Sequence, residues 1–366
     1  MNVLVDLIAG ARPNFMKIAP IIRAMKSRNK GVGTLTYRLV HTGQHYDHNM
    51  SDSFFEQLGI PKPDVNLQVG SGTQAEQTAG IMQGYEKLLS EKPSQLCMVV
   101  GDVTSTMACS ITAQKKGIPV AHVEGGIRSG DRSMPEEINR IVTDVVSNYF
   151  FTTSETANEN LIDSGVSKDS IFFVGNTMID TLLSNEDKFA KPKLWNDLGL
   201  SEKNYFVITL HRPNNVDQTD GFLRILEVLA QSARGLPLVF PVHPRSMKSL
   251  KEIGAIPSGF SLVEPQPYWE FNFLVKHAKA VITDSGGITE EATVMGVPCM
   301  TMRDSTERPE TITTGTNELV GTNPERLKPF LDRLFAGEWK KGGIPEKWDG
   351  KTGERIVEQL EKILCN

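Results

Sequence analysis

Two carboxylates and a histidine stand where apolar runs of this sequence end. Asp102 follows the run Gln95–Val100, and Glu124 follows Pro119–Val123 and precedes two glycines. His211 closes a third such run. A carboxylate at the carboxyl end of a strand is better placed for acid–base chemistry than one on a helix face. A turn or helix-cap role is the alternative for Asp102.

The segment Ser133–Arg140 adds a carboxylate and an arginine on one face of a predicted helix. Glu136 and Arg140 lie four residues apart, so both can face the same side, beside Glu124. The alternative is that these residues only stabilise their own helix. Ser133 and Glu136 have the spacing of a capping box, and Glu136 and Arg140 have that of a surface salt bridge.

Basic residues near the strand ends indicate a bound anion. Arg12 and Lys17 flank the start of the first predicted helix, and two His/Arg pairs, around His211 and His243, close strands of the second half. Such cations can reach an anion that is held by the backbone N–H groups of a helix N-terminus. Solvated side chains are the alternative for Arg12 and Lys17, but the two His/Arg pairs favour a polyanion.

The stretch Ala280–Met300 predicts a strand, a glycine turn and a helix. Ser285, Gly286 and Gly287 form the turn, where glycine lets backbone N–H groups approach a phosphate or diphosphate closely. Glu291 follows in the first helical turn, where a carboxylate suits the helix dipole. An ordinary glycine turn before a capped helix is the alternative.

The composition is that of an ordinary globular protein. The net charge of −5 over 366 residues and the lack of a basic run argue against nucleic-acid binding. The four cysteines lack metal-ligand spacing, and the sequence has neither a P-loop nor a GxGxxG after its first strand, so we expect no metal and no nicotinamide. We also expect no signal peptide, no membrane span and a cytoplasmic location.

Apolar strands alternate with amphipathic helices along the whole chain. This rhythm predicts doubly wound, parallel α/β sheets with ligands near the carboxyl ends of the strands. The polar segment Asn185–Lys203 is the best candidate for a linker between two such halves. We therefore expect an N-terminal doubly wound domain over residues 1–180 and a C-terminal one over residues 181–349.

Nine segments match, in order, the motifs of a known enzyme family. Between Val3 and Gly321 the chain resembles the non-hydrolysing UDP-N-acetylglucosamine 2-epimerases of bacteria and archaea. The matching segments are GARPNFMKIAP, TGQHYDHNM, VVGDVTST, HVEGGIRSGDRSMPEEINR, VGNTMIDTL, TLHRPNNVD, VHPR, TDSGGITEE and MRDSTERPE.

The resemblance implies the GT-B architecture, in which two Rossmann-like domains face each other across a cleft and the last helix, within 350–366, packs back on the first domain. It implies reversible 2-epimerisation of UDP-N-acetylglucosamine to UDP-N-acetylmannosamine. UDP is eliminated to leave a 2-acetamidoglucal and is then added back, without metal or cofactor. It also implies a role in cell-surface polysaccharide biosynthesis and a homodimer, whose interface we expect around Gln77–Leu89.

The resemblance assigns roles to particular residues. Three carboxylates match the catalytic ones and an arginine lies beside them: Asp102, Glu124, Glu136 and Arg140. His211 matches the histidine that contacts the diphosphate and assists its departure. The other matches contact UDP or line the site: Arg12, Lys17, Ser285, Gly286, Gly287, Glu291 at the ribose, Phe271 at the uracil, and Arg308.

The chain departs from the family at several motifs. Many members read GTRPE, HVEAG and HRREN where this chain reads GARPN, HVEGG and HRPNN. The missing second arginine of the last motif can change phosphate contacts or sugar preference. Gln44 and His45 match a site where a second substrate molecule activates bacterial members, but GQHYD replaces AQHRE there. We therefore expect weak or absent allosteric activation.

Four other functions share this pattern. They are a hydrolysing epimerase that releases free N-acetylmannosamine, a 2-epimerase of a UDP-2,3-diacetamido uronic acid, a GT-B glycosyltransferase that needs an acceptor, and a non-catalytic nucleotide-sugar sensor. The sensor is the least favoured, because every catalytic carboxylate of the family pattern is present.

Overall fold

The computed structural model describes residues 3–28, 35–43 and 57–365, and the chain forms two compact α/β units. Unit 1 comprises Met1–Ser184 and Glu346–Asn366, and unit 2 comprises Asn185–Pro345. The chain therefore leaves unit 1 once and returns to it for its final helix.

The described strands of unit 1 form one parallel sheet of order β3-β2-β1-β4-β5-β6-β7. Those of unit 2 form a second parallel sheet of order β10-β9-β8-β11-β12-β13. The strands are β1 Val3–Ala9, β2 Leu35–His41, β3 Val65–Asn66, β4 Leu96–Val100, β5 Val120–Val123, β6 Tyr149–Thr152, β7 Ile171–Phe173, β8 Phe206–Thr209, β9 Leu238–Pro241, β10 Phe260–Val263, β11 Ala280–Thr283, β12 Cys299–Thr301 and β13 Asn317–Leu319.

Helices connect successive strands, and short 3₁₀ turns lie at Lys168–Ser170, Glu186–Lys188 and Pro324–Arg326. The α-helices of the described residues are α1 Arg12–Arg28, α2 Gln74–Glu91, α3 Thr104–Lys115, α4 Pro135–Val146, α5 Glu155–Asp163, α6 Thr177–Leu183, α7 Lys193–Asp197, α8 Pro213–Val216, α9 Thr219–Ser232, α10 Pro244–Ile253, α11 Tyr268–His277, α12 Gly286–Val294, α13 Pro309–Thr313, α14 Leu327–Phe335 and α15 Thr352–Leu364.

Each sheet has the strand order of a Rossmann-like fold, which confirms the predicted fold class. In such a sheet the winding direction reverses between the first and fourth strands, and ligands bind outside the carboxyl ends of the strands at that point. In unit 1 the reversal lies between β1 and β4, and in unit 2 between β8 and β11. The turns after these four strands are therefore where a site is expected.

The strands could be predicted because parallel sheets covered by helices bury both faces. All five residues of β4, LCMVV, are buried, as are all four of β11, AVIT. Such strands appear in the sequence as unbroken apolar runs, and the predicted boundaries differ from the observed ones mostly by one or two residues.

The segment Asn185–Lys203 is packed structure of unit 2 and not a flexible linker. Its helix α7 carries Trp195, a buried residue whose ring meets those of Tyr205 and Phe273 edge-on at centroid distances of 5.4 and 5.2 Å. The boundary between the units lies at Ser184/Asn185. The polar composition of the segment gave no indication that Trp195 packs into the hydrophobic core of unit 2.

The last helix, α15, packs against α1 within unit 1. A Cβ atom added at Gly353 would lie 2.7 Å from the carbonyl oxygen of Pro20, so only glycine allows this approach. The Asp180 carboxylate accepts hydrogen bonds from the backbone N–H groups of Thr352 and Gly353 at 3.0 and 2.7 Å. The start of α15 is thereby fixed to α6.

Candidate active site

A buried asparagine ties the turn between β1 and α1 to the end of β4. The Asn14 side-chain oxygen accepts hydrogen bonds from the backbone N–H groups of Gly10 at 3.2 Å and Ala11 at 2.9 Å. Its amide nitrogen donates to the carbonyl oxygen of Val100 at 2.8 Å. These contacts join the turn after β1 to the end of β4, the two strands between which the winding direction of the sheet reverses.

Glu124 follows β5 in a left-handed backbone conformation and is paired with Lys17. Its φ of +72° costs a non-glycine residue about 1–3 kcal/mol. The backbone N–H of Glu124 donates to the carbonyl oxygen of Phe151 at 2.8 Å. The Lys17 ammonium lies 2.7 Å from Oε2 of Glu124, and both side chains are largely buried. The strained turn therefore directs a buried carboxylate towards a cation on α1.

A buried histidine–aspartate pair supports the turn after β5. His122 Nδ1 lies 2.7 Å from Asp144 Oδ1, and His122 Nε2 donates to the carbonyl oxygen of Gly101 at 2.8 Å. Asp144 also accepts from the backbone N–H of Gly126 at 3.1 Å and from Arg128 at 2.6 Å. Burial acts to raise the pKa of Asp144, but His122 and Arg128 outweigh it and hold that pKa below its usual value.

Arg140 on α4 bridges two carboxylates. One guanidinium nitrogen lies 2.6 Å from Asp102 Oδ2 and another lies 2.7 Å from Glu137 Oε2. Glu137 is buried and also accepts from the backbone N–H groups of Ser129 and Gly130 at 2.9 and 3.1 Å. Burial acts to raise the pKa of Glu137, but these donors lower it overall. Glu137 thus anchors Arg140, which in turn holds the partly exposed Asp102.

Glu136 does not form the capping box that its spacing from Ser133 allows. Helix α4 has Met134 at its N-cap position and no side-chain cap, and the Ser133 hydroxyl donates to Asp131 at 2.6 Å. Within residues 3–28, 35–43 and 57–365, no side-chain hydrogen bond or ion pair engages Glu136, which is half-buried. The local alternative for this carboxylate is therefore wrong, and the side chain is available for chemistry.

In unit 2, the buried Asp284 follows β11 and collects hydrogen bonds from the turn after β8. Its oxygens accept from the backbone N–H groups of His211 at 2.9 Å and Arg212 at 2.8 Å, and from the Asn215 amide at 3.0 Å. His211 Nδ1 lies 2.8 Å from Asp284 Oδ1. Burial acts to raise the pKa of Asp284, but these donors hold it below its usual value.

The start of α12 lies beside this pair. Ser285 occupies the N-cap position without a side-chain cap, and space around Gly286 is open. The first backbone N–H groups of the helix are thus available to an anion. A cavity of about 210 Å³ adjoins this helix start. Its lining includes His211, His243, Phe271, Ser285 and Ile288.

Two further carboxylates of α12, Glu290 and Glu291, are buried, and both lie beyond the first turn, so the predicted first-turn position of Glu291 is wrong. Glu291 accepts a hydrogen bond from the Tyr268 hydroxyl at 2.9 Å, and burial raises the pKa of Glu291 to about 7 despite that bond. Glu290 forms an ion pair with Arg308, which is itself buried. Arg308 is thus already held by a carboxylate of its own unit.

The structure groups most of the predicted residues within their own units. Unit 1 brings together Lys17 with Glu124, and Asp102 with Arg140, whereas the half-buried Glu136 has no side-chain partner among the described residues. Unit 2 places His211, Phe271 and Ser285 around one cavity. Glu291 and Arg308 lie in buried pairs, and Gly286 and Gly287 begin α12. The side chain of Arg12 and the residues Gln44 and His45 lie outside the described residues.

Sequence reasoning missed the residues that hold the others in place. Asn14, Glu137, Asp144 and Asp284 are buried polar side chains with two or more partners each. Only Asp284 carried a local signal, because it stands at a strand end before the glycine turn. The partners of the other three lie far away in sequence or depend on turn geometry.

The geometry supports acid–base chemistry in unit 1 and diphosphate binding in unit 2. Within the described part of the chain, no three His, Cys, Asp or Glu side chains form a group that could hold a metal ion. The same residues include no helix with the length and apolar character needed to cross a bilayer.

Comparisons with known proteins agree with this geometry. A family model described as UDP-N-acetylglucosamine 2-epimerase matches residues 27–361. The UDP-N-acetylglucosamine 2-epimerase of Methanocaldococcus jannaschii is 39% identical over 97% of this chain and 98% of its own length. The UDP-2,3-diacetamido-2,3-dideoxy-D-glucuronate 2-epimerase of Pseudomonas aeruginosa is 40% identical over 97% and 99%. A crystal structure of the M. jannaschii enzyme with UDP-GlcNAc and UDP has a TM-score of 0.88 at 39% identity, covering 98% of this chain and 100% of that chain.

Proposed function

The chain belongs to the UDP-N-acetylglucosamine 2-epimerase family, and we propose that it reversibly converts UDP-N-acetylglucosamine into UDP-N-acetylmannosamine. The observation that carries this proposal is the pairing of Glu124 with Lys17 and of Asp102 with Arg140 at the reversal point of unit 1. The open start of α12 beside His211 supports it from unit 2.

The reaction needs one group that removes the proton from carbon 2 and another that returns it on the opposite face. As the proton leaves, a double bond forms between carbons 1 and 2. The bond from carbon 1 to the diphosphate oxygen breaks, and its electron pair leaves with UDP. UDP adds back to the resulting 2-acetamidoglucal after the face at carbon 2 has changed. We assign the proton transfers to Asp102, Glu124 and Glu136.

The nucleotide contacts are proposed for unit 2. Backbone N–H groups of Gly286 and Gly287 would hold the diphosphate, because the N-terminus of α12 has no side-chain cap. Ser285, whose own N–H donates to Thr283 Oγ1 at 2.9 Å, would contact the diphosphate through its hydroxyl. Phe271 would pack against the uracil in the cavity. The Glu291 carboxylate would accept hydrogen bonds from the ribose hydroxyls. We propose further contacts to the substrate from Arg12, Lys17 and Arg308.

Proton NMR of UDP-N-acetylglucosamine in D₂O tests the reaction. We expect UDP-N-acetylmannosamine with deuterium at carbon 2, formed without an acceptor. Accumulation of free N-acetylmannosamine would instead establish a hydrolysing epimerase. A requirement for an acceptor would establish a glycosyltransferase, and binding without turnover would establish a sensor.

A UDP-2,3-diacetamido uronic acid is the second candidate substrate, because the P. aeruginosa relative that acts on one is 40% identical to this chain. The two substrates should be compared by kcat/KM on the same enzyme preparation. We expect the higher value for UDP-N-acetylglucosamine. A higher value for the uronic acid would transfer the proposal to that sugar while leaving the 2-epimerisation chemistry in place.

UDP binding should weaken as the pH falls below about 7, because Glu291 has its pKa raised to about 7 and accepts ribose hydroxyls best when ionised. One proton changes affinity by at most about tenfold per pH unit. Calorimetry with UDP between pH 6 and 8.5 measures this dependence. A diphosphate of 2′,3′-dideoxyuridine is the matched control, because it shares the phosphate titration but lacks the hydroxyls. Equal pH dependence of the two ligands would contradict the ribose assignment.

Ionisation of Glu291 at high pH should lower the free energy of unfolding. The folded-state pKa of Glu291, about 7, lies above the ordinary 4.5. The contribution of Glu291 to stability is therefore fully present below pH 4.5 and is lost as the pH rises through 7. Glu291→Gln should accordingly raise Tm at pH 8 while weakening UDP binding. A lower Tm for this variant would show that the carboxylate is compensated by contacts that glutamine lacks.

We infer that the protein is a homodimer whose interface includes α4. Two large apolar residues lie seven positions apart on one face of this helix and are exposed, Ile138 by 42% and Val145 by 79%, and grouped exposed apolar residues can mark an interface. The predicted interface around Gln77–Leu89 lies on α2. There the exposed side chains are the small Ala79 and the polar Gln83, Glu86 and Lys87. The exposed apolar residues therefore favour α4.

Sedimentation velocity tests this interface. Val145→Asp should shift the protein from dimer towards monomer, because a buried unpaired charge at an interface is costly. Ala79→Asp, on the exposed face of α2, is the matched control and should leave the dimer intact. A monomer for Ala79→Asp and an intact dimer for Val145→Asp would place the interface on α2. A monomeric wild-type protein would exclude both interfaces.

A further inference from the structure

Asp284 is fully buried, yet the reaction proposed above gives it no role. Its carboxylate lies behind His211, with the ring nitrogen Nδ1 at 2.8 Å from Oδ1. The backbone N–H groups of His211 and Arg212 donate to Oδ2 at 2.9 and 2.8 Å. The Asn215 amide donates to Oδ2 at 3.0 Å and to the carbonyl oxygen of Met302 at 2.9 Å. The carboxylate is thus fixed from several directions.

We propose that Asp284 is the positioning residue of His211: it holds the imidazole with Nδ1–H towards the carboxylate and Nε2 towards the departing diphosphate. This inference rests on the proposed function. It adds to that function the side chain that sets the tautomer and the orientation of the histidine.

The tautomer of His211 follows from which of the facing atoms can donate and which can accept a hydrogen bond. An ionised carboxylate only accepts, so the ring nitrogen that faces Asp284 must carry hydrogen. Nε2 is then the ring atom left for the substrate, and the His211 side chain is 34% exposed. When the C1–O bond breaks, its electron pair passes to the diphosphate oxygen. With Nδ1–H directed at Asp284, uptake of a proton at Nε2 gives an imidazolium whose Nε2–H can donate to that oxygen, and the buried carboxylate stabilises the positive charge on the ring.

The His211 ring also lies beside the ring of His243. The two ring centroids lie 5.4 Å apart, with the planes inclined at 44°. The main chain of residues 211 and 212 is bonded to the same carboxylate as the ring. A ring flip would therefore break the Nδ1 contact while the backbone stayed in place, so Asp284 selects one orientation.

Asp284→Asn is the direct test, because it keeps the shape of the side chain but replaces one accepting oxygen with a donor. We expect kcat to fall by about 10²-fold or more, as for loss of an acid–base group, with a much smaller change in KM and in UDP affinity. Long-range ¹H–¹⁵N NMR of the full chain with labelled histidine should also show that His211 has lost its Nδ1–H tautomer. His211→Gln assigns that signal by difference.

Asp180→Asn is the matched control. Asp180 is another buried carboxylate that accepts two backbone N–H bonds, but it holds the start of α15 and pairs with no histidine among the described residues. Its substitution should lower Tm without altering the His211 tautomer or kcat per folded enzyme. If Asp284→Asn behaves in the same way, Asp284 is only a structural carboxylate and the inference is overturned.

Two further measurements allow the proposal to be tested even if Asp284→Asn does not fold, or if the proposed reaction is wrong. If Asp284→Asn does not fold, Asn215→Ser removes one donor to the carboxylate and should give a smaller loss of kcat with partial loss of the Nδ1–H tautomer. The wild-type tautomer needs no substrate and no turnover. Hydrogen on Nε2 instead of Nδ1 in neutral His211 of the wild type would overturn the positioning role even if the chain is an epimerase. Conversely, the expected tautomer in an inactive protein would overturn only the proposed reaction.

Discussion

Replacing Glu124 with glutamine is expected to lower the rate of epimerisation by about 10²-fold or more, because the amide can neither take nor return the proton at carbon 2. The backbone strain at φ +72° would remain in the variant while the carboxylate that it presents is gone. The substitution also leaves the largely buried Lys17 ammonium without its partner at 2.7 Å. UDP binding in unit 2 should persist.

Steady-state kcat and deuterium incorporation at carbon 2 measure this effect, and Glu86→Gln on the exposed face of α2 is the control. A double-mutant cycle with Lys17→Met identifies the role of the lysine. If Lys17 acts through Glu124, the two losses will be strongly non-additive. Additive losses, with weaker UDP binding in Lys17→Met, would mean that Lys17 acts through the substrate contact proposed above and not through Glu124.

The same series extends to the other two carboxylates. Asp102→Asn should cost about as much as Glu124→Gln, since the carboxylate that Arg140 holds at 2.6 Å would become neutral. Glu136→Gln should lower turnover similarly and leave Tm nearly unchanged, because no contact of its side chain is lost within the described residues. Near-wild-type turnover for Glu136→Gln would remove that residue from the chemistry.

Replacing His211 with alanine is expected to lower turnover by at least as much, roughly 10²–10⁴-fold, because departure of UDP would lose its donor to the diphosphate oxygen. Positional exchange of ¹⁸O within the UDP-sugar follows cleavage of the C1–O bond directly. That exchange should fall together with kcat in His211→Ala, whereas UDP should still bind to the start of α12.

His243→Ala is the control for this substitution. His243 lies beside His211 and lines the same cavity, but its Nδ1 accepts from the backbone N–H of Arg245 at 3.2 Å instead of facing a buried carboxylate. We expect a moderate loss of binding and little loss of C1–O cleavage. A larger effect at His243 than at His211 would exchange their roles.

Much of this organisation could be predicted from the sequence. The buried strands appear as unbroken apolar runs, and Asp102, Glu124, His211 and Ser285 could be selected because they follow such runs. The ordered motifs identified the family without a structure. The linker prediction for the segment around Trp195 rested on its polarity, whereas the structure packs that segment within unit 2. The capping box of Ser133 and Glu136, which was only the alternative to a catalytic role for Glu136, does not form.

The sequence alone determined the fold class, the family and the set of candidate site residues, because these depend on local periodicity and on residue identity. Only the tertiary structure decided which charges are paired. Lys17 meets Glu124 across 107 residues and Arg140 meets Asp102 across 38, while Asp284 reaches the Arg212 backbone across 72. A surface pair four residues apart contributes only about 0.2–0.5 kcal/mol, whereas a buried charge without a partner costs several. Burial therefore outweighs local spacing, and burial is set by how the strands and helices pack.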